Sequence, residues 1–455
     1  MPIASVNPAT GETLKVFAPH SETEVDSRLS LAASAFSVWR KTPLAERCAL
    51  LEQTALVFEQ RREWLASILT LEMGKLRAAA LAEVDKSATC LHHYAEAAPR
   101  YLEGQEIKTD ALRSYVRHDP LGPVLAVMPW NFPYWQVIRF AAPALAAGNV
   151  ALLKHASSVP QAALALEACF TEAGAAPGLF QTLLIEGGRA SALMDDPRIA
   201  AATLTGSEGA GRALGAAAGR ALKKVVLELG GSDPFLVLPS ADVEKAAQVA
   251  VTARVQNAGQ SCICAKRFIV HEKVWDAFVG PFVARMQKLR VGDPADAATE
   301  LGPLASSSTR EELDAQVQRT LQMGARLLCG GHRLPGPGYF YAATALEGAP
   351  PGSPCRDEEL FGPVATLIKV GSLEEAVAVA NETRFGLGAA AFTRDPAEQQ
   401  ELAAALEAGA VFFNGLVKSD PRLPFGGVKA SGFGRELAGQ GLREFVNVKT
   451  VWIGV

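Results

Sequence analysis

From Ser114 onward, short apolar segments typical of buried strands alternate with longer segments of helical periodicity. The strand-like segments of the first series are Ser114–His118, Val124–Met128, Val150–Lys154, Phe180–Ile185, Ala200–Thr205 and Val225–Leu229. Helices are predicted between them at Pro160–Ala173 and Gly209–Lys223. Such alternation implies right-handed crossovers and a parallel sheet with helices on both faces. The sequence therefore predicts an α/β fold.

A second alternating series begins near Val237 and predicts a second α/β domain. Its helices are predicted at Val243–Gln256, Trp275–Leu289, Ser308–Met323 and Leu373–Asn381, and its strands at Arg267–His271 and Val364–Val370. The first hundred residues are predicted to be mostly helical, with segments from residue 22 after the Ser21 capping box, at Pro43–Leu69 and at Leu76–Ala98. The tail Glu444–Ile453 is predicted to be a strand that pairs with another segment or another subunit.

The charge and cysteine content limit the kinds of partner. A formal charge of −4, with no cluster of five or more Lys and Arg residues, predicts a protein that binds neither nucleic acid nor an anionic membrane. The seven cysteines include no CxxC pair, and no HExxH occurs, so neither a disulfide framework nor a metal site is expected. The N-terminus lacks a secretory signal pattern, which predicts a cytoplasmic protein. Small molecules are the expected ligands.

One thiol stands in a segment typical of an active-site loop. Cys262 lies in the sequence GQSCIC, after a predicted helix and before a predicted strand. Cys48, Cys90 and Cys169 lie instead in apolar helical patterns, where a free cysteine is usually an inert small hydrophobe. A nucleophilic thiol needs positive charge, backbone donors or a base nearby. The residues alone leave open whether Cys262 is such a nucleophile.

Candidate partners for the thiol stand where predicted strands end, the edge at which open α/β sheets bind ligands. Glu228 ends one strand in LELGG, and Asn131 follows another in PWNFP. Glu228 could equally be a surface or salt-bridged residue. The glycine-rich segment Thr205–Gly211 opens a helix whose N–H groups could face a phosphate. It is not a dinucleotide fingerprint, because Leu214 stands where a third small residue is required.

Together these segments resemble the aldehyde dehydrogenase superfamily along the entire chain. The matching motifs, in family order, are PWNFP (Pro129–Pro133), Lys154 at a strand end, TGS (Thr205–Ser207), LELGG (Leu227–Gly231), GQSC (Gly259–Cys262), EELFGPV (Glu358–Val364) and PFGGVKASGFGRE (Pro424–Glu436). The resemblance implies a dinucleotide-binding domain at 1–112 and 126–228, a catalytic domain at 229–430, and a small β oligomerisation element at 113–125 and 431–455. A homodimer or homotetramer is expected from it.

The resemblance also assigns roles. It makes Cys262 the nucleophile, Glu228 the general base that activates water for thioester hydrolysis, and the Asn131 amide part of an oxyanion hole. The residues implied around an NAD or NADP cofactor are Met128, Trp130, Lys154, Ser157, Gly187, Gly206, Ser207, Leu229, Glu359 and Phe361. NAD-preferring relatives carry Glu where this chain has Ser157, so the sequence predicts that NADP is accepted.

Among the subfamilies, the chain most resembles the succinate-semialdehyde dehydrogenases. This resemblance implies a substrate site formed by Arg139, Ser419 and Phe425, with Arg139 binding the substrate's far carboxylate. The chain departs from the pattern at Gln256, where some members carry a second Arg, and Arg422 is a candidate replacement. An enzyme for uncharged aldehydes, with a structural Arg139, is the alternative.

Two further hypotheses concern the cysteine loop. Cys264 is a candidate partner of Cys262 in a strained, reversible disulfide, or else a buried neighbour without redox consequence. Functions of a different class are a cysteine hydrolase, for which His155 and His271 are the histidines near sheet ends, and a non-catalytic binding protein.

Overall fold

The computed structural model describes residues 2–454, which form two α/β units and two small β elements. The helices are α1 (Glu22–Trp39), α2 (Leu44–Gln60), α3 (Arg62–Met73), α4 (Arg77–Tyr101), α5 (Trp135–Ala147), α6 (Pro160–Glu172), α7 (Gly187–Ala192), α8 (Glu208–Arg220), α9 (Val243–Val255), α10 (Trp275–Lys288), α11 (Ser307–Gln322), α12 (Pro354–Asp357), α13 (Leu373–Asn381), α14 (Pro396–Ala405) and α15 (Ala438–Arg443). In this part of the chain, no helix combines the length and apolarity needed to cross a membrane.

The strands form four sheets. They are β1 (Ile3–Val6), β2 (Thr13–Phe17), β3 (Gln105–Glu106), β4 (Arg113–Pro120), β5 (Pro123–Met128), β6 (Val150–His155), β7 (Phe180–Thr182), β8 (Ala201–Thr205), β9 (Lys224–Glu228), β10 (Asp233–Val237), β11 (Ala265–His271), β12 (Arg326–Cys329), β13 (Thr344–Glu347), β14 (Val364–Val370), β15 (Gly388–Phe392), β16 (Ala410–Phe413), β17 (Gly432–Phe433) and β18 (Val446–Ile453).

The first large sheet has the order β17-β9-β8-β5-β6-β7, and the second has the order β12-β13-β14-β11-β10-β15-β16. Apart from antiparallel β17 and β12 at their edges, the strands of both sheets are parallel. Buried apolar side chains cover both faces of the central strands, as parallel sheets require. The predicted pair of doubly wound domains is confirmed.

The remaining strands form a three-stranded antiparallel sheet, β18-β4-β3, and a small hairpin of β1 and β2. The predicted C-terminal strand pairs with β4 along its whole length, from Val446 opposite Pro120 to Ile453 opposite Arg113. The expectation that this tail pairs with another segment is therefore confirmed.

The predicted boundaries need four corrections. Strand β5 starts at Pro123, inside the segment assigned to the bridging element, and β17 joins the first sheet by pairing with β9. Conversely, β3 pairs with β4 although it falls in the range 1–112. Strands β3 and β17 were missed because a strand of two residues is too short to show a period. The segment Pro43–Leu69 is two helices that meet at Arg61, which has non-helical φ and ψ angles of −93° and 10°.

Candidate active site

A cleft of about 570 Å³ opens between the two sheets, where the first ends in β5, β8 and β9. Eight of the residues predicted to act in catalysis or cofactor binding line it: Trp130, Asn131, Gly206, Ser207, Leu229, Cys262, Glu359 and Phe361. The rings of Trp130 and Phe361 meet edge to face, with their centres 5.5 Å apart. Residues that are distant in the sequence therefore converge on one cavity of a size suited to a small-molecule ligand.

The Cys262 loop is held from beneath by two buried cations. The Lys266 ammonium donates to the carbonyls of Ser261 at 2.8 Å and Cys262 at 2.6 Å. The Arg254 guanidinium donates to the carbonyls of Gly259 at 2.6 Å and Ala265 at 2.9 Å. Charge-assisted bonds of this kind are strong in a dry interior. The loop is thus fixed by backbone contacts that leave the thiol free.

The charge state of the thiol reflects the same surroundings. Burial raises the pKa of Cys262 to about 12, while the positive charges of Lys266 and Arg139 lower it and the carboxylate of Glu359 raises it. Glu359 also accepts a hydrogen bond from the Gly231 amide at 3.0 Å. A Cβ at Gly231 would meet the Cys262 carbonyl at 2.6 Å, so a glycine is needed where the LELGG segment crosses the cysteine loop.

Asn131 is oriented by contacts on both its side chain and its backbone. Its side-chain amide donates to the Gln260 carbonyl at 3.0 Å. Its own carbonyl accepts from Lys75 Nζ at 3.1 Å and from Asn257 Nδ2 at 2.8 Å. A carboxamide nitrogen carries two N–H groups. With one of them committed to Gln260, the other remains available on the wall of the cleft.

Glu228 is 2% exposed, and neither of its carboxylate oxygens has a hydrogen-bond partner among residues 2–454. Burial and the nearby carboxylate of Glu436 raise its pKa well above the usual range, against the opposing charges of Arg139 and Arg435. A Cβ at Gly426 would meet Glu228 Oε1 at 2.7 Å, so the PFGG segment covers the carboxyl group closely. The buried group is therefore a proton acceptor of raised basicity.

A buried ion pair of Lys75 and Glu83 supports the Asn131 loop. Neither side chain is more than 2% exposed. The second oxygen of Glu83 accepts from the backbone N–H groups of Tyr134 at 2.9 Å and Trp135 at 3.1 Å, at the start of α5. The carboxylate therefore satisfies donors that a helix start leaves free. Sequence reasoning missed both residues, since helical periodicity alone does not identify their partners.

Replacing Glu83 with Gln is expected to lower the free energy of unfolding by about 3–5 kcal/mol, because Lys75 stays buried without its counter-charge. Urea denaturation followed by circular dichroism measures the change. Asp85→Asn is the matched control on the same helix, because Asp85 pairs with Arg62 at the exposed surface and should change stability by under about 1 kcal/mol. Equal stabilities for the two variants would contradict the role given to the pair.

Four of the predicted cofactor residues, Met128, Lys154, Ser157 and Gly187, do not line the cleft. Lys154 lies near the end of β6 and Ser157 follows that strand, and no carboxylate lies within 4 Å of the Lys154 ammonium in residues 2–454. Ser157 lines a separate small cavity with Ile3 and His155. Met128 ends β5 and is 2% exposed, and Gly187 begins the short helix α7.

The N-terminus of α8 also faces the cleft. Ser207 caps this helix by accepting from the Ala210 amide at 3.3 Å. Two further charged residues here were missed: Arg384 lines the cleft and pairs with Glu208 at 3.1 Å. Arg384 stands in a loop without periodicity, so no sequence pattern indicated it.

The predicted substrate residues lie together around α5. Arg139 is 3% exposed, forms an ion pair with Glu436, and donates to Thr205 Oγ1 at 3.1 Å. Its guanidinium lies 4.8 Å from the centre of the Phe425 ring. Ser419 Oγ accepts from the indole N–H of Trp135 at 3.0 Å.

The expectation that Arg422 supplies a second substrate-binding cation is not supported by its position. Its guanidinium forms two hydrogen bonds with Asp420, at 2.8 and 2.6 Å, and its side chain is 76% exposed. Asp420 is only two residues away in the sequence, so Arg422 pairs with it at the surface and is not placed in the substrate site.

The structure disfavours a cysteine hydrolase. The His155 ring donates through Nε2 to the Pro133 carbonyl at 2.9 Å and accepts at Nδ1 from the Ala156 amide at 2.9 Å, and burial lowers its pKa to about 4. His271 accepts from the Lys273 amide at 3.2 Å. Among the residues that line the cleft in the described chain, none is His.

Cys264 is fully buried, and its thiol lies 3.5 Å from the Gln256 carbonyl. Its disulfide with Cys262 stays a prediction.

The structure has two doubly wound sheets, and Cys262 lies on the wall of the cleft between them. This is the arrangement that the motifs predicted for the class of aldehyde dehydrogenases. A model of the aldehyde dehydrogenase family matches residues 1–451. The chain therefore belongs to the aldehyde dehydrogenase family, and the predicted family and fold are confirmed.

Individual relatives are similar over their full length. The chain is 54% identical over 453 residues to a Synechocystis sp. protein named probable succinate-semialdehyde dehydrogenase (NADP+), covering 100% of both. It is 52% identical over 458 residues to the succinate-semialdehyde dehydrogenase (NADP+) of Mycolicibacterium paratuberculosis, covering 100% of this chain and 97% of the relative. The crystal structure of the Streptococcus pyogenes succinic semialdehyde dehydrogenase in complex with NADP+ superposes with a TM-score of 0.97, at 38% identity, covering 99% of this chain and 100% of that one.

Proposed function

We propose that this protein oxidises succinic semialdehyde to succinate with NADP or NAD as the hydride acceptor. The observation that carries the proposal is the convergence of Cys262 and Asn131 on the wall of the cleft, with the buried Glu228 directly before Leu229, which also lines it. The names of the relatives described above support the choice of substrate.

The first step is attack of the Cys262 sulfur on the aldehyde carbon, after the thiol has given its proton to water in the cleft. The positive charges of Lys266 and Arg139 stabilise the thiolate that forms. The bond that forms converts the carbonyl oxygen into an oxyanion, which needs preorganised donors. The free N–H of the Asn131 side chain and the backbone N–H of Cys262 are the proposed donors. The fixed loop keeps sulfur and donors in place, so little reorganisation is needed when charge develops.

Glu228 serves the second half of the reaction. After hydride has left the substrate carbon, the acyl group remains bound to Cys262 as a thioester. Water attacks this thioester and gives its proton to Glu228, whose oxygens accept no hydrogen bond from the described residues 2–454. The acid is released, and the sulfur of Cys262 leaves as the thiolate.

The residues present fit a dinucleotide. The N–H groups at the start of α8 suit a pyrophosphate, and Arg384 lies on the same wall. Lys154, which has no carboxylate partner within the described part of the chain, and Ser157 would bind the adenosine ribose and its 2′-phosphate. The cofactor, when bound, supplies the acceptor for the hydride that leaves the aldehyde carbon.

Replacing Ser157 with Glu is expected to lower kcat/KM for NADP at least about tenfold relative to NAD, because the new carboxylate repels a 2′-phosphate. Steady-state kinetics with each cofactor measure the ratio, with Ser158→Glu as the matched control one residue away. An unchanged ratio would remove Ser157 from the cofactor site. We expect the wild type to prefer NADP, and an efficiency at least about tenfold higher with NAD would refute that preference.

The substrate assignment is tested by comparing succinic semialdehyde with butyraldehyde, an uncharged aldehyde of the same carbon count. Formation of reduced nicotinamide is followed with purified protein and each aldehyde. The proposal expects a kcat/KM for succinic semialdehyde at least about tenfold higher, as a charge-assisted contact provides. Equal efficiency would favour the alternative, an enzyme for uncharged aldehydes.

We also propose that the protein is a homodimer or a homotetramer. Strand β18 lies at the edge of its sheet and exposes Val448, Trp452 and Ile453 at 61%, 56% and 41%. A long edge strand with exposed apolar side chains is a pairing site for another chain. Sedimentation velocity tests the assembly, and a monomer at micromolar concentration would contradict it.

A further inference from the structure

A polar cluster around Ser419 contains a cation that the reaction described above does not use. Ser419 Oγ accepts from Lys86 Nζ at 2.9 Å as well as from the Trp135 indole at 3.0 Å. The Lys86 ammonium also lies 4.0 Å from the centre of the Trp135 ring. Helix α4 supplies the lysine, the start of α5 the indole, and the chain after β16 the serine.

The hydrogen bonds of this cluster leave donors free. A hydroxyl has one proton and two lone pairs, and both lone pairs of Ser419 are engaged by Lys86 and Trp135. The Ser419 proton has no acceptor among residues 2–454, and the half-buried Lys86 has no ion-pair partner there. The cluster is therefore complementary to an anionic ligand.

The neighbouring carboxylates are already engaged. Glu83 binds Lys75 and the first amides of α5, and Asp420 binds Arg422. Arg139, the cation predicted from the motifs, is ion-paired with Glu436. Lys86, which lies beside Ser419, thus forms no ion pair with a carboxylate of residues 2–454.

The cluster lies near the reacting thiol. Trp135 and Phe425 belong to the apolar cluster against which Cys262 packs. The positive charge of Arg139 lowers the pKa of both Cys262 and Lys86, so its guanidinium lies within electrostatic range of each. The thiol and the Lys86–Ser419 cluster are therefore both neighbours of Arg139, which lies beside Phe425.

We propose that Lys86 is a specificity-determining residue that binds the substrate's far carboxylate, with the Ser419 hydroxyl as the second donor. This inference rests on the proposed function, since it requires a substrate with a carboxylate remote from the aldehyde. It also explains how the chain functions with Gln256 where some relatives carry a second Arg.

The first test compares Lys86→Met with Lys86→Arg on succinic semialdehyde and butyraldehyde. Lys86→Met is expected to lower kcat/KM for succinic semialdehyde about tenfold or more, mainly through KM, and to reduce the preference over butyraldehyde at least about fivefold. Lys86→Arg should restore most of that preference. An equal loss on both substrates would overturn the proposal in favour of a structural role.

The second test measures the wild type, with Lys86→Arg as its control. Burial and the charge of Arg139 lower the pKa of Lys86 to about 8, opposed by Glu83, Cys90 and Asp420. The ratio of kcat/KM for succinic semialdehyde to that for butyraldehyde should therefore fall as the pH rises through about 8. Groups that serve both substrates cancel in this ratio, and in Lys86→Arg the ratio should be flat. A flat wild-type ratio would overturn the proposal.

The outcomes separate the two levels of inference. A wild type that shows no preference for succinic semialdehyde contradicts the proposed function itself. A wild type with the preference, together with a Lys86→Met variant that keeps it at every pH, contradicts only the role of Lys86.

Discussion

Cys262→Ala is expected to lower aldehyde oxidation by at least about 10⁴-fold, since no other group can form the covalent bond to the substrate carbon. The loss should appear in kcat, because the cleft and the start of α8 are unchanged and still bind the cofactor. Initial rates of nicotinamide reduction measure the effect, and fluorescence titration with NADP checks that binding persists.

Cys264→Ala is the matched control for this prediction. Cys264 is two residues away and fully buried, with its thiol directed to the Gln256 carbonyl. Its removal tests whether a small cavity in the same loop, rather than loss of the nucleophile, lowers activity. If Cys262→Ala and Cys264→Ala lost activity equally, or if Cys262→Ala still converted aldehyde to acid, Cys262 would not be the nucleophile.

Glu228→Gln is expected to separate the two halves of the reaction. The amide cannot accept a proton from water, so hydrolysis of the thioester should slow by about 10²–10⁴-fold. Attack by Cys262 needs no proton transfer to Glu228 and should proceed. Rapid mixing should therefore show a burst of one reduced nicotinamide per active site, followed by a slow steady state.

The pH dependence supplies a control for the same residue. Burial and Glu436 raise the pKa of Glu228, and only the carboxylate form accepts a proton, so the steady-state rate limited by hydrolysis should rise with pH. Glu228→Gln has no carboxylate to titrate at this position, so its slow phase should lack the rise with pH. Mass spectrometry should detect the acyl group on Cys262 in the variant, and its absence would indicate that another step is blocked.

Much of the fold follows from local patterns. The predicted limits of Val364–Val370 and Leu373–Asn381 agree with the structure, and the Ser21 capping box begins α1 as expected. These elements are specified by the period of their apolar residues and by their capping residues. The break at Arg61 was not visible, because helical periodicity continues through it.

The candidate site likewise contains residues that the sequence identified and residues that it did not. Cys262, Asn131 and Glu228 were identified because their motifs are contiguous in the sequence. The supporting cations Lys266 and Arg254 were not, although Lys266 inside the largely apolar strand Ala265–His271 is a signal that a buried charge needs partners. Their partners are backbone carbonyls, which carry no sequence signature.

The sequence by itself determined the two sheets, the cysteine loop and the strand ends that carry the polar residues, because periodicity and motif order are local properties of the chain. Only the tertiary structure decided which charges meet: Arg139 with Glu436, Glu83 with Lys75, and Lys86 with Ser419. Lys86 and Ser419 are 333 positions apart, and the energy of a buried charge depends on what surrounds it in space.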